Sequence, residues 1–325
     1  VATLICGLTN FTWSATPANS FTTNLISSSA DPALTGFVES TVVTNPRVQA
    51  ALAGLNASTA FQSAAGRPLY NPELQIGVEN ADIDTRTLGI SQTIDWSGKR
   101  TSRKNVATAE RLAVEGEYLL TRQTVIIELL SGLAAYQTEL DRNTLSATRV
   151  QLMAQFADIA KKRFEVGDLT QIELNLATLA YADSRIQRAT AAADLSEARQ
   201  LVNNLSLNSR AAEWPSLDSQ LPALPVTIDI VPLLMTLPEV QVAQRRVDAA
   251  LAVVALRKKE KRQDPTVGLN GGKADGENLV GLNLSIPLPV RNSFSYEVTA
   301  SYEQHQQSQN LADDVLRRAQ ARLTG

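Results

Sequence analysis

From Lys99 to Phe164 the chain carries no proline, and only Gly116 and Gly132 interrupt an otherwise helix-favouring run. At about 1.5 Å per residue this predicts a helix of roughly 100 Å, where an ordinary globular helix has about 12 residues. Apolar or small residues recur at every seventh position, at Leu112, Leu119, Ile126, Leu133, Leu140, Ala147 and Ala154. A second register, Leu145, Leu152 and Ile159, runs alongside. A period of seven is the seam of a coiled coil, not the face of a helix lying on a globular core. Gly167 breaks the run, and Thr170 to Leu205 reads as helix again. Residues 99–205 are therefore expected to form a very long helical hairpin turning at Val166-Gly167-Asp168-Leu169. A rod of this length attached to a small sheet cannot bury its own seam, so it needs neighbours.

The sequence also repeats itself. Asn45-Pro46-Arg47-Val48-Gln49-Ala50-Ala51 resembles Leu237-Pro238-Glu239-Val240-Gln241-Val242-Ala243, and Leu88-Gly89-Ile90-Ser91-Gln92-Thr93-Ile94 resembles Val280-Gly281-Leu282-Asn283-Leu284-Ser285-Ile286. Asn71-Pro72 and Asp264-Pro265 match between them, and all three pairs lie the same distance apart to within one residue. Order and spacing together read as two copies of one unit. Each unit starts a helix at a proline, which suits the first helical position, with Thr44 or Asn45 as the cap in the first copy. Two strands and a long helix follow.

The strands alternate with a period of two. Leu74, Ile76 and Val78 share one face of the first, and Leu88, Ile90, Ile94 and Trp96 share one face of the second, opposite Gly89, Ser91, Thr93 and Asp95. In the second copy Val267 and Leu269 alternate, then Val280, Leu282, Leu284 and Ile286, opposite Gly281, Asn283 and Ser285. Pro287 and Pro289 end the last strand, because proline cannot sit inside a paired ladder. The alternation fits a half-buried strand. Lengths of about 8–10 residues suit a tilted strand crossing a bilayer. Four strands are too few for a membrane barrel, whose minimum is about eight. Edges exposed to hydrocarbon must be closed, so a barrel would have to be shared between protomers. The other solution is a soluble four-stranded sheet packed on its helices.

Composition excludes several chemistries. The 325 residues hold 44% hydrophobic but only 5% aromatic side chains, and the formal net charge is -3. One cysteine, Cys6, and one histidine, His305, cannot build a Cys/His zinc site, a disulfide framework or a Cys–His nucleophile within one chain. His305 lies among Glu303, Gln304, Gln306 and Gln307, which reads as a solvated helix face. No catalytic residue, cofactor site or metal site is expected, and no enzyme. The loop acids Glu79, Asp82, Asp84, Asp275 and Glu277 lack EF-hand spacing and read as polar turns. Arg257-Lys258-Lys259-Glu260-Lys261-Arg262 is a basic cluster at a helix end. It suits either the helix dipole or anionic headgroups. It carries no interleaved aromatic, so nucleic acid is not expected as a partner. Val1 to Trp13 is apolar and uncharged, with small residues following. It reads as the remnant of a secretory signal peptide.

At this point the sequence resembles the TolC-like outer-membrane factors, over about residues 30–325. The hairpin turn Arg163-Phe164-Glu165-Val166-Gly167-Asp168-Leu169-Thr170, followed by Glu173, Leu174 and Ala177, is similar to that family's R-[YF]-x-x-G-x-x-[ST] tip. Ile286-Pro287-Leu288-Pro289-Val290-Arg291-Asn292 and Asn71-Pro72-Glu73-Leu74 look like the heavy-metal (cobalt–zinc–cadmium or copper) branch. The resemblance implies an α+β membrane protein of a Gram-negative outer membrane. Four β-barrel strands per chain and very long periplasmic α-helical coiled-coil hairpins would be arranged in two internal repeats. It implies a homotrimer sharing one barrel, a periplasmic adaptor docking on Arg163, Phe164, Val166, Gly167, Asp168, Leu169 and Thr170, and an inner-membrane RND-type pump. It implies outer-membrane lipid against the apolar strand face, and passive export of cargo, heavy-metal cations first. The expected organisation is a leader remnant over 1–30, a first repeat over 31–206, a linker over 207–229 and a second repeat over 230–325. By the first copy's pattern, a second tip and return helix have no counterpart, so the second repeat is expected to be truncated. A drug-efflux or type I secretion duct of the same family is the alternative cargo reading. A soluble coiled-coil scaffold is the alternative from another class.

Overall fold

The computed structural model describes residues 31–80, 84–206, 214–217 and 230–324. The expected leader remnant, Asp82 in the first strand loop and most of the linker 207–229 lie outside the described residues. Helices α1 (Pro32–Thr44) and α2 (Pro46–Ala65) lead into strands β1 (Glu73–Glu79) and β2 (Thr85–Thr93), and then into helices α3 (Lys99–Glu165) and α4 (Gln171–Leu205). Helices α5 (Ile230–Thr236) and α6 (Pro238–Glu260), strands β3 (Thr266–Ala274) and β4 (Glu277–Ser285), and helix α7 (Ser295–Thr324) follow. The order helix, helix, strand, strand, helix thus occurs twice.

Local chemistry explains the boundaries. Asn45 ends α1 and caps α2: its side chain accepts from the Arg47 N–H at 2.9 Å, and Pro46 takes the first helical position. Helix α1 was not expected from the sequence, although Asp31 caps it in the same way, accepting from the Ala33 N–H, with Pro32 at its start. Helix α3 runs unbroken for 67 residues. Its free first-turn N–H groups are met from before the helix, where the Asp95 carboxylate accepts from Lys99 at 2.8 Å and Arg100 at 2.6 Å.

The two interior glycines of α3 do not interrupt it. They are points of close approach. A Cβ on Gly116 would lie 2.9 Å from Val242 Cγ2 on α6, and one on Gly132 would lie 3.3 Å from Val202 Cγ2 on α4. Just beside Gly116, Arg245 donates to the Leu112 carbonyl at 2.8 Å. The buried core is small and lies around the middle of α3. Val125 packs with Val42 and Val48, and Leu129 and Leu133 pack with Val202. Trp214 meets Tyr136 edge-on at 4.8 Å beside them. Of the seven seam positions only Leu133 is buried, whereas Leu119 is 49% exposed and Leu145, on the second register, 70%. Among the described residues the rest of the seam is left exposed or half-buried.

The strands form one antiparallel sheet in the order β1-β2-β3-β4. The joint between sheet and helices is a buried ion pair, Lys99 to Asp264 at 3.0 Å, with the Tyr70 hydroxyl donating to the same carboxylate oxygen at 3.1 Å. Removing one partner of such a pair strands the other charge in low dielectric, at a cost of about 3–5 kcal/mol. Lys99→Met should therefore lower unfolding stability by about that much, read by denaturant titration in detergent. The double variant Lys99→Met/Asp264→Leu should recover most of the loss.

Candidate functional site

The sheet carries two unlike faces. On one, β1 presents Leu74, Ile76 and Val78, opposite Ile90, Leu88 and Arg86 on β2. Ile90 faces Leu269, and Leu269 faces Leu282; Val267 faces Leu284, and Gly271 faces Val280. Among the described residues nothing covers these aliphatic side chains: Ile76 is 73% exposed, and Val280 and Leu282 are each 78% exposed. Ile94, Trp96 and Ile286 were read as strand residues, but they lie just past the ends of β2 and β4. The ladder continues one step through Ile94, whose N–H donates to the Pro265 carbonyl at 2.9 Å. The exposed Trp96 indole N–H donates to the Gln263 carbonyl at 2.8 Å.

The other face is small and polar. One row across the sheet is Gln75, Gly89, Asn270 and Gly281, and the next is Glu73, Ser91, Gly268 and Asn283. Each asparagine lies over a neighbouring glycine. A Cβ on Gly268 would sit 2.2 Å from Asn283 Oδ1, and one on Gly281 would sit 2.6 Å from Asn270 Oδ1. Gly89, Gly268 and Gly281 keep the middle of this face thin, and glycines at set positions let a sheet curl toward it. The pairing of β1 only with β2, and of β4 only with β3, leaves two open edges. In hydrocarbon, open edges must be closed by pairing with further strands.

The far end of α3 is the hairpin tip. Gly167 adopts φ +81°, which a side chain rarely tolerates. Its N–H donates to the Phe164 carbonyl, and the Asp168 N–H to the Arg163 carbonyl, both at 2.9 Å. This pair of bonds is the Schellman closure of a helix C-terminus. Thr170 then opens α4 with a capping box: its hydroxyl accepts from the Glu173 N–H, and Glu173 accepts from the Thr170 N–H at 2.7 Å. The turn thus satisfies its own backbone and leaves Val166, 79% exposed, with Gly167 and Asp168 at the apex. Phe164 and Leu169 are half-buried, and Arg163 pairs with Asp168 at 3.1 Å on the surface. That exposed pair is worth less than about 1 kcal/mol. An apolar groove lined by Phe156, Ile159, Leu169 and Leu176 lies beside it.

Several sequence expectations find their places here. The seven tip residues come together at one apex, and the aliphatic strand residues come together on one face. The Lys99–Asp264–Tyr70 joint was missed, although the repeat had already aligned Asp264-Pro265 with Asn71-Pro72. Among the described residues no cluster of three metal-ligating side chains occurs. His305 sits half-buried on α7.

No family model matches the chain. The cobalt-zinc-cadmium resistance protein CzcC of Cupriavidus metallidurans is 27% identical over 232 residues, covering 69% of this chain and 55% of that protein. The chain thus spans about half the length of the curated relative it matches. A solved structure of CusC, concerned with folding and transmembrane channel formation, superposes with a TM-score of 0.74 over 90% of this chain and 74% of that one, at 14% identity. The CmeC outer membrane channel of Campylobacter jejuni gives 0.71 over 94% and 73%, at 14% identity. The fold is that of the TolC-like outer-membrane factors. A third such outer membrane protein, VceC of Vibrio cholerae, gives 0.68 over 88% and 75%, at 17% identity.

In an outer-membrane-factor fold the two sheet faces respond differently to charge. Leu282→Arg should cost roughly 2–4 kcal/mol in the membrane and reduce the folded, heat-modifiable band on a gel. Asn283→Arg, next along the same strand on the small polar face, should leave that band far less changed. At the tip, Thr170→Ala should cost about 1 kcal/mol of local helix stability, seen as faster amide exchange over Gln171–Leu174. The hydrogen bonds from the Thr170 backbone and hydroxyl hold the Glu173 carboxyl below the ordinary carboxylate range. Its contribution is therefore present above the unfolded value and lost as pH falls through the lower folded value. Thr170→Ala should raise the Glu173 midpoint in a carboxyl NMR titration.

Proposed function

We propose that the chain is the outer-membrane channel component of a tripartite efflux system, a passive duct in the outer membrane of a Gram-negative bacterium. The observation that carries this reading is the four-stranded sheet with two unpaired edges and a continuous, uncovered aliphatic face. Leu74, Ile76, Val78, Leu88, Ile90, Val280, Leu282 and Leu284, with Ile94, Trp96 and Ile286 just beyond the strands, face lipid. The Gly, Ser and Asn rows face the lumen. Three protomers close the sheet edges into one barrel, and their long helices cover one another's seams below it. The chain is built from two repeats, α1 to α4 and α5 to α7, whose strand hairpins correspond. A duct needs no catalytic group: energy comes from an inner-membrane RND-type pump through a periplasmic adaptor. The adaptor meets the rigid apex at Arg163, Phe164, Val166, Gly167, Asp168, Leu169 and Thr170.

The cargo follows from the relative. Its printed role is cobalt, zinc and cadmium resistance, and divalent heavy-metal cations are the cargo proposed for this chain. Deleting the gene should sensitise the host to zinc, cobalt or cadmium and leave drug tolerance unchanged, read as minimal inhibitory concentrations with complementation. Sensitisation to drugs alone overturns the metal cargo. Recovery of the chain in the soluble fraction without detergent overturns the duct.

A further inference from the structure

Sheet and helices meet at a level rich in cations, and one set of them makes no ion pair among the described residues. Lys258, in the last turn of α6, and Lys261 and Arg262, which follow directly after the helix, are all exposed at the α6 terminus. The nearby carboxylates are already engaged: Glu260 by Arg257 at 2.6 Å, and Asp264 by Lys99 and Tyr70. Lys258 rests over the Tyr302 ring at 4.8 Å. No acidic partner pairs with Lys258, Lys261 or Arg262 among the described residues.

A second observation fixes the level of this face. Trp96, exposed at the end of the aliphatic band, donates its indole N–H to the carbonyl of Gln263, the residue after Arg262. An exposed tryptophan with a satisfied N–H at the rim of an apolar strand band marks the boundary between hydrocarbon and headgroups. The three cations therefore stand at headgroup depth, on the helical side of the sheet.

We infer that Lys258, Lys261 and Arg262 form a binding face for the phosphate of anionic phospholipid headgroups in the membrane leaflet on the helical side, with Trp96 as its apolar anchor. This inference rests on the membrane-barrel reading. Each cation near an anionic surface favours anionic over neutral lipid roughly fivefold, and salt weakens the effect. A helix C-terminus also gains from cations through its dipole, but a dipole does not distinguish one lipid from another.

The test uses the full chain, folded into nanodiscs of phosphatidylcholine alone or of an equal mixture with phosphatidylglycerol. Native mass spectrometry of lipids retained after gentle release reads the preference, beside the wild type stand Lys258→Gln/Lys261→Gln/Arg262→Gln and Trp96→Leu. The expected result is a phosphatidylglycerol preference of at least tenfold in the wild type, falling toward none in the triple variant and suppressed by high salt. A wild type that retains both lipids equally, or a triple variant that keeps the preference, overturns the inference while leaving the duct reading intact. Equal protection by inorganic phosphate in a thermal shift assay would make the ligand a free anion and overturns the lipid assignment. A wild type that enters neither kind of nanodisc overturns the membrane reading and the lipid face with it.

Discussion

An unpaired backbone N–H or carbonyl facing hydrocarbon costs several kcal/mol, and that cost shapes everything around the sheet. Among the described residues the outer edges of β1 and β4 have no partner, and the face between them is aliphatic and uncovered. Water would tolerate the edges but not the face; lipid would tolerate the face but not the edges. The proposed barrel, a sheet closed by further strands within a bilayer, would satisfy both. On the duct proposal, pairing between protomers is the condition under which the sheet is stable, because four strands are too few to close.

The helices obey the same logic with a different interaction. Helix α3 is continuous over 67 residues, yet its buried contacts gather around its middle, at Val125, Leu129 and Leu133. Beyond that girdle the seam residues remain in solvent. Long helices in isolation gain little from propensity alone; packing of an apolar face is what holds them. The glycines at 116 and 132 let Val242 of α6 and Val202 of α4 pack directly on the α3 backbone, and so set the spacing of these helices. Repeated around a shared axis, such spacing yields a wall rather than a solid core.

Much of this was legible in the sequence. Period seven, period two and the proline and glycine stops each report on backbone geometry one element at a time, and those elements appeared within a few residues of their expected ends. The tip was legible because a helical hairpin needs a positive φ and a cap in fixed order, and Gly167 and Thr170 stand in that order. Contacts between distant segments were not. Nothing local marks Lys99 as the partner of Asp264, or Asn283 as the side chain that lies over Gly268. Helix α1 was missed for another reason: Asp31-Pro32 is a cap signal, but Thr41 to Thr44 are β-branched and weaken the local preference, and only packing against Val48 and Val125 decides the outcome.

The two ends of α3 are built to different rules, and the difference is informative. At the sheet, the helix start is held by Asp95 on its N–H groups and by the buried Asp264 on Lys99. At the tip, nothing buried holds the turn. It is closed by its own backbone bonds and capping box and presents an apolar side chain, Val166, to solvent. A surface that is rigid without being covered has already lost its conformational freedom before any partner arrives, which is the condition under which a small contact area can bind well. The tip lies about 100 Å from the sheet, so on the duct proposal an adaptor could meet it without touching the sheet.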